Sequence, residues 1–260
     1  MNDYEIPPAW RMPPGVNSAL WEYTHSNRLA NDEPDYFANH PMHANDAGLL
    51  DARFTQPGRL VDLGCGIGRH AERFARRGFP TVAIDLSRPM LKSLRERVAG
   101  LPMLAIEANL CNLAMLPDAT FDYGLSMFST LGMIRGRGFR AKALAEAARI
   151  LKPGARLALH AHNFWLEMRD VQGRAWLAGE ALKLVKRDPD LGDRRFTYRG
   201  VVGMEVHLYR WGELKRELTR AGFQVEERIA IDERTAEPIR WPWLLDSFRA
   251  GGWIVFARRV

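Results

Sequence analysis

The chain has 260 residues, 47% of them apolar, enough for a sizeable core in one large domain or two small ones. No run of about 18 apolar residues is present, which excludes a membrane-spanning helix, and only two cysteines, Cys65 and Cys111, occur, which excludes a disulfide framework. The net charge of +6 is uneven: −5 over residues 1–57, +8 over 58–163 and +3 over 164–260.

A basic body attracts anionic partners, but no basic cluster is interleaved with aromatics as single-strand binding requires. Nucleic acid is therefore not the expected partner, and neither is a membrane. Met1–Glu5 has neither the basic nor the apolar region of a secretory signal. With its cysteines unpaired, the chain is expected in the reduced cytoplasm.

Residues 1–57 carry seven prolines with aromatics and histidines between them. Prolines that frequent limit helices to short pieces, such as 18–29 and 46–54. The segment reads as an N-terminal arm or cap, with too little regular apolar pattern to form its own core. From Arg59 the pattern becomes regular. Residues 59–63 form a short apolar run that suits a buried strand, and residues 69–77 follow as a helix with Ala71, Phe74 and Ala75 on one face. Residues 81–85 make a second strand. Ser87 caps the next helix, where Pro89 sits in the first turn and Met90, Leu91, Leu94 and Val98 form the apolar stripe.

Residues 104–109 and 121–128 read as the third and fourth strands. A helix over 141–151 stops at Lys152-Pro153-Gly154, and 156–162 is a fifth strand. Residues 164–210 break the rhythm with a helix-like stretch, a charged loop over 186–195 and two β-like runs, 195–199 and 204–209. A helix over 211–221 and strands over 224–231 and 252–258 close the chain. Strands alternating with helices imply a parallel sheet covered on both faces.

The chemistry centres on Asp62-Leu63-Gly64-Cys65-Gly66-Ile67-Gly68. A glycine-rich turn between strand and helix lets backbone approach a ligand closely. A dinucleotide fingerprint would place its third glycine at position 69, which is Arg69 here. The carboxylate inside the strand, Asp62, suits a ligand with an amino group better than a pyrophosphate. Asp85, 17 residues after Gly68, ends the second strand, where it faces the ligand crevice of a doubly wound sheet and can take both ribose hydroxyls, with Leu86 beside it to pack on a purine.

These residues resemble the class I S-adenosylmethionine-dependent methyltransferases that act on small molecules. The resemblance rests on residues 61–70, on Ala83-Ile84-Asp85-Leu86-Ser87 with Met90-Leu91, on Phe121-Asp122-Tyr123, on 151–157, and on Trp211–Leu214 through Ala221–Phe223. It implies an α/β, doubly wound, mostly parallel seven-stranded sheet over residues 58–260, capped by 1–57 and carrying a substrate-covering insertion at about 164–210. It also implies that Gly64, Cys65 and Gly66 lie along the methionine part of the cofactor and that Asp62 anchors that region. Asp85 would bind the ribose. Asn109 and Leu110 fall at the adenine position, where the family usually has an acidic residue, and the Asn109 amide oxygen is available to the adenine amino group. Met127 and Phe128 would lie near the transferable methyl.

Methyl transfer needs little beyond positioning and exclusion of water, with a base where the acceptor must lose a proton. His160 and His162 share one face of the fifth strand, and His162 is the candidate base or acceptor-orienting group. Cys65 has nothing beside it in sequence to generate a thiolate. His40 and His43 flank a proline and lack a third ligand, so no metal is expected. Trp21, Tyr23, Arg28 and Tyr36 of the arm are candidates to close over the cofactor. Trp165, Trp176, Phe196, Tyr198 and Tyr209 are candidates for a roof that favours a small acceptor, and Lys183, Lys186 and Arg187 leave an anionic one open. Competing readings are an RNA methyltransferase, a non-catalytic S-adenosylmethionine-binding regulatory protein, and a nicotinamide oxidoreductase. Oligomeric state and acceptor identity are not legible.

Overall fold

The computed structural model describes residues 4–38, 40–186, 188 and 190–260, without the side chains of His43 and Ala44. The readings on the His43 side chain and on Arg187 thus lie outside the described residues. In chain order the helices and strands are α1 (Ser18–His25), α2 (Asn27–Phe37), α3 (Pro41–Asp51), β1 (Leu60–Leu63), α4 (Arg69–Arg76), β2 (Thr81–Asp85), α5 (Arg88–Arg97), β3 (Met103–Glu107), β4 (Phe121–Ser126), α6 (Thr130–Met133), α7 (Arg137–Ile150), β5 (Leu151–His162), α8 (Val171–Lys186), β6 (Asp193–Tyr198), β7 (Val201–His207), α9 (Trp211–Arg220), β8 (Phe223–Ile231), α10 (Asp246–Arg249) and β9 (Gly252–Arg259).

Seven strands form one sheet in the order β3-β2-β1-β4-β5-β9-β8, parallel except for β9, which runs antiparallel to both neighbours. The strands alternate their side chains between two cores. Val61, Leu63, Leu157 and Leu159 pack with Leu144, Ala147 and Leu214 of α7 and α9. Leu60, Leu125, Ala158 and Ile254 pack with Leu50, Phe54 and Phe74 on the other face. All four residues of β1 are buried, as a central parallel strand requires. A separate two-stranded hairpin, β6–β7, stands off the sheet.

The N-terminal prolines permit more helix than the sequence reading expected. Asn17 caps α1 by accepting from Leu20 N–H at 2.8 Å, and the chain breaks at Ser26, whose hydroxyl caps α2 in turn. So 18–29 is not one helix but the joint between two. Pro34 sits inside α2 on its exposed side, where its ring projects toward solvent and it lacks only the N–H that would donate to Ala30 O. The helix read over 46–54 begins earlier, at Pro41, with His40 as cap.

The fifth strand also differs. It starts at Leu151 directly after α7, and Lys152-Pro153-Gly154 is a bulge within it, not a gap before it. Leu151 pairs with Phe121, the register shifts, and pairing resumes at Arg156 with Tyr123. Pro153 has no N–H to donate and Gly154 takes φ 84°, which is how one strand absorbs the irregularity.

Candidate cofactor and active site

The parallel strands end at a common edge, and there a cavity of about 320 Å³ opens. It falls within the size range of small-molecule sites. Its floor is the turn after β1. The N–H groups of Gly64 and Cys65 both donate to Ile84 O, at 2.8 and 3.0 Å, and Gly68 N–H donates to Cys65 O at 2.8 Å. Gly66 N–H donates to Asp85 Oδ2 at 2.7 Å, while Asp85 Oδ1 accepts from Ser87 N–H at 2.8 Å. One carboxylate therefore fixes both the glycine turn and the start of α5.

The three glycines have different reasons to be glycine. All have positive φ, but a Cβ at Gly64 would sit 2.1 Å from the Thr130 side chain, and one at Gly68 would sit 2.4 Å from Leu94. Those two positions are closed by the protein itself. A Cβ at Gly66 meets nothing nearer than Met90 Sδ at 3.8 Å. That opening faces the cavity and is a cradle that a side chain would fill.

The sequence-derived cofactor residues converge here. Asp62, Gly64, Cys65 and Gly66 line the cavity from β1 and its turn, Asp85 and Leu86 from β2. Asn109, Leu110 and Met127 line it from the segments after β3 and β4, and so does His162 at the end of β5. Asn109 is placed differently from the expected role. Its amide oxygen accepts from Cys111 N–H at 2.8 Å and its amide nitrogen donates to Pro14 O at 2.9 Å, so the side chain primarily ties its own loop to the N-terminal segment.

Electrostatics separate the ionisable groups. Burial raises the Asp62 carboxyl to about 7; the Arg69 guanidinium opposes this, and the neighbouring Asp85 carboxylate adds to it. Burial also raises Asp85, against the N–H groups it accepts from. His162 is pushed down to about 4 by burial, with His40 adding, so its imidazole is neutral at physiological pH. The Cys65 thiol is pushed well up by burial and by Asp85 and Asp62, and it stays protonated. His160 lies behind His162 with ring centroids 5.0 Å apart and is buried out of the cavity.

The cover departs from the sequence reading in detail. Of the four residues expected to close over the site from the N-terminal segment, only Tyr23 lines the cavity. Trp21 stacks on His25, 3.6 Å between ring centroids. Arg28 faces solvent with Asp32, and Tyr36 lies under the Arg199 guanidinium. Of the five aromatics expected in the roof, Phe196 and Tyr198 line the cavity. Trp165 and Trp176 pack on Phe164, and Tyr209 is in the main core. Lys183 pairs with Glu180 outside the cavity.

Several lining residues had no signal in the reading of motifs. Glu33 is buried in the cover and joined by Tyr23 Oη, at 3.3 Å, and by the Arg199 guanidinium, which links α2 to the hairpin turn. Its signal is the stripe Leu29, Ala30, Glu33, Phe37 at helical spacing. Arg69 entered only as a mismatch to a glycine. Its guanidinium grips Asp46 through two hydrogen bonds, 2.7 and 2.6 Å, and Asp46 also meets His70 at 3.0 Å. After β4, Phe128 and Ser129 both take positive φ, 56° and 60°, at the cavity wall. Strain of this kind persists only where surroundings impose it and concentrates at functional sites. Thr130 imposes it here, since its N–H and its hydroxyl both donate to Met127 O.

Comparison with known proteins agrees with this geometry. Residues 60–154 match the family described as a methyltransferase domain. A structure from Methanosarcina mazei described as a SAM-dependent methyltransferase aligns with TM-score 0.64 at 18% identity, over 82% of this chain and 97% of that one. This chain has the class I methyltransferase fold. A second structure of that fold, the Burkholderia thailandensis 1,6-didemethyltoxoflavin N1-methyltransferase with its substrate and S-adenosylhomocysteine bound, aligns with TM-score 0.61 at 17% identity over 90% and 84% of the chains. Among curated relatives, the ubiquinone/menaquinone biosynthesis C-methyltransferase UbiE of Geobacter sulfurreducens is 35% identical over 113 residues, 41% of this chain and 43% of the relative. A Streptomyces venezuelae dTDP-amino-sugar N,N-dimethyltransferase is 24% identical over 62% of this chain and 65% of its own length. The matched stretch of this chain spans about a third to a half of the length of the first curated relatives.

Proposed function

We propose that this protein is an S-adenosylmethionine-dependent methyltransferase acting on a small organic acceptor and releasing S-adenosylhomocysteine. The observation that carries the reading is the Gly66–Asp85 hydrogen bond at the open cradle of the glycine turn. It puts backbone with no Cβ at Gly66 and the buried Asp85 carboxylate side by side in one cavity wall, a pairing that supports a ribose beside the turn. Asp62, Gly64, Cys65 and Gly66 hold the methionine part, Asp85 and Leu86 the ribose, and Asn109 and Leu110 the adenine. Met127 lies beside the methyl position. Residues 58–260 form the methyltransferase domain, residues 1–57 its cap, and about 164–210 the substrate cover.

S-adenosylmethionine supplies a methyl group already activated on a positively charged sulfur, so the protein's part is positioning and exclusion of water. Tyr23, Phe37, Phe196 and Tyr198 cover the site, which favours a small acceptor over an RNA. His162, neutral and at the cavity wall, is placed to accept the acceptor's proton or to orient it. Incubation of metabolite extracts with the protein and isotopically labelled S-adenosylmethionine tests the reading. Label transferred to a small molecule supports it; label transferred to RNA, or to nothing, contradicts it.

A further inference from the structure

The connection between β8 and β9 folds as two lobes with opposite surfaces. Residues 232–237 make a polar turn, closed by Asp232 N–H to Glu237 O at 2.8 Å and tied to α3 by Asn45 Nδ2 to Thr235 O at 2.7 Å. The second lobe, residues 240–250, does the reverse. It turns Trp241, Trp243, Leu244, Leu245 and Phe248 toward solvent, and Trp243 is 79% exposed. Water drives such a run inward unless something holds it out.

Arg249 is the brace. Its guanidinium donates to the carbonyls of Trp241 at 3.1 Å, Leu244 at 3.0 Å and Arg240 at 2.8 Å. Trp241 and Leu245 are kept at positive φ, 57° and 45°, a conformation that bulky residues adopt only under constraint. The lobe thereby satisfies part of its own backbone, which suits it to surroundings poor in water.

The segment beside the lobe continues the pattern. Trp165 packs on Phe248, 5.1 Å between centroids, and the Arg169 guanidinium donates to Arg249 O. Two residues later α8 begins, and it is apolar on opposite faces. Gly173, Trp176, Leu177 and Glu180 face the protein. On the outer side Val171, Ala175, Ala178, Leu182 and Val185 recur at four- and three-residue steps, all exposed, and so form one stripe. Arg174 and Lys186 flank the stripe, and the acid of this helix, Glu180, is buried on the opposite face.

Charge selects the occupant. In the lobe, Asp246 is neutralised by Arg228. Arg240 stacks on the Trp241 ring and Arg249 donates to carbonyls, so both cations lack a carboxylate partner among the described residues. A second copy of the chain, meeting this surface symmetrically, would bring like cations together. Exposed tryptophans and leucines next to Arg240 and Arg249, with a cation-flanked apolar stripe on α8, match the headgroup region of an anionic bilayer.

We propose that the lobe over residues 240–250 and the outer stripe of α8 dock this protein on an anionic lipid surface. The protein lies on that surface, since no helix among the described residues is long and apolar enough to cross it. The sequence reading expected no membrane partner because it considered spanning segments alone. The lobe is also coupled to the cavity wall: Asn163, next to His162, donates from Nδ2 to Ser247 O at 2.7 Å and to Ala250 O at 2.8 Å.

Vesicle co-sedimentation of the full chain tests the proposal and needs no cofactor. The expected result is partitioning to phosphatidylcholine vesicles with about one third phosphatidylglycerol at least about tenfold above phosphatidylcholine alone, weakening with salt. A Trp241→Ser, Trp243→Ser variant and a Leu182→Gln, Val185→Gln variant should each lose about tenfold in partitioning. Their melting temperature should not change, because all four side chains are exposed. Equal partitioning to both vesicle types, or partitioning that survives both variants, overturns the proposal. So does a dimer in sedimentation velocity that the same variants dissociate without any vesicle binding by the parent chain. S-adenosylhomocysteine titration of the same samples reports separately on the methyltransferase reading.

Discussion

The N–H of Gly66 meets the carboxylate of Asp85 at 2.7 Å, so the turn after β1 and the end of β2 behave as one piece. The other oxygen of that carboxylate holds Ser87 N–H at 2.8 Å, which fixes the start of α5 as well. Each oxygen keeps a further lone pair for a ligand hydroxyl. A single side chain thus couples the shape of the glycine turn to the groups that would hold a ribose.

The glycines of that turn should separate folding from binding. Gly68→Ala places a Cβ 2.4 Å from Leu94 at φ 78° and should cost about 2–5 kcal/mol of stability. Gly66→Ala meets open space and should cost only about 1–2 kcal/mol for its backbone conformation, yet weaken S-adenosylhomocysteine binding at least about tenfold. Thermal melts read beside titrations check the pair. Equal effects of the two substitutions on binding and on stability would contradict it.

Asp46 should govern acid stability on the α4 side of the sheet. Burial opposes its charge, but hydrogen bonds from Arg69 and His70 dominate and hold its carboxyl at about 2. A depressed folded value contributes stability that is complete above the unfolded value near 4 and is lost as pH falls toward 2. That contribution is roughly 2–3 kcal/mol. Denaturant titrations at pH 5 and pH 2.5 should show Asp46→Asn losing most of its deficit at the lower pH; a deficit independent of pH would refute the linkage.

Asp62 should link cofactor binding to protons. Its folded value near 7 leaves it about half protonated at neutral pH. A cationic amino group bound beside it favours the ionised form and releases a proton. Affinity for S-adenosylhomocysteine should therefore rise as pH increases from 6 to 8, and binding enthalpy should vary with the ionisation enthalpy of the buffer. Asp62→Asn should abolish both dependences. Their persistence in the variant would place the titration elsewhere.

His162 should affect turnover and leave cofactor affinity alone. As a base its loss in His162→Ala should lower kcat by about 10²–10⁴-fold, with S-adenosylhomocysteine affinity changed less than twofold. With its value near 4, the imidazole should impose no fall in kcat between pH 6 and 8. An unaltered kcat in the variant would remove His162 from the chemistry.

The sheet and the gathering of Asp62, Gly64, Cys65, Gly66, Asp85 and Leu86 at one cavity wall were legible because both depend on local pattern. The run over residues 59–63, the glycines after it and Asp85 at the next strand end fix strand, turn and ligand edge within a few dozen residues. The cover was not legible in the same way. Trp21 and Tyr36 were chosen for their aromatic rings, but the face that a helix buries depends on spacing, and Glu33 and Phe37 occupy the buried stripe of α2. Arg69 and Asn109 were read against a ligand. Each also has a distant partner, the Asp46 side chain for Arg69 and the Pro14 backbone for Asn109, that only the folded chain supplies. The positive φ of Phe128 and Ser129 has no local signature, since neither is a residue that favours it.

The most direct test of the central claim is isothermal titration of S-adenosylhomocysteine into the full chain and into Asp85→Ala. Removing that carboxylate takes away two charge-assisted hydrogen bonds to backbone and the ribose acceptor, at least about 3 kcal/mol in all. The account predicts saturable one-to-one binding by the parent chain, weakened about a hundredfold or more in the variant. No binding by the parent chain at high micromolar ligand, or equal affinity in the two proteins, would contradict it.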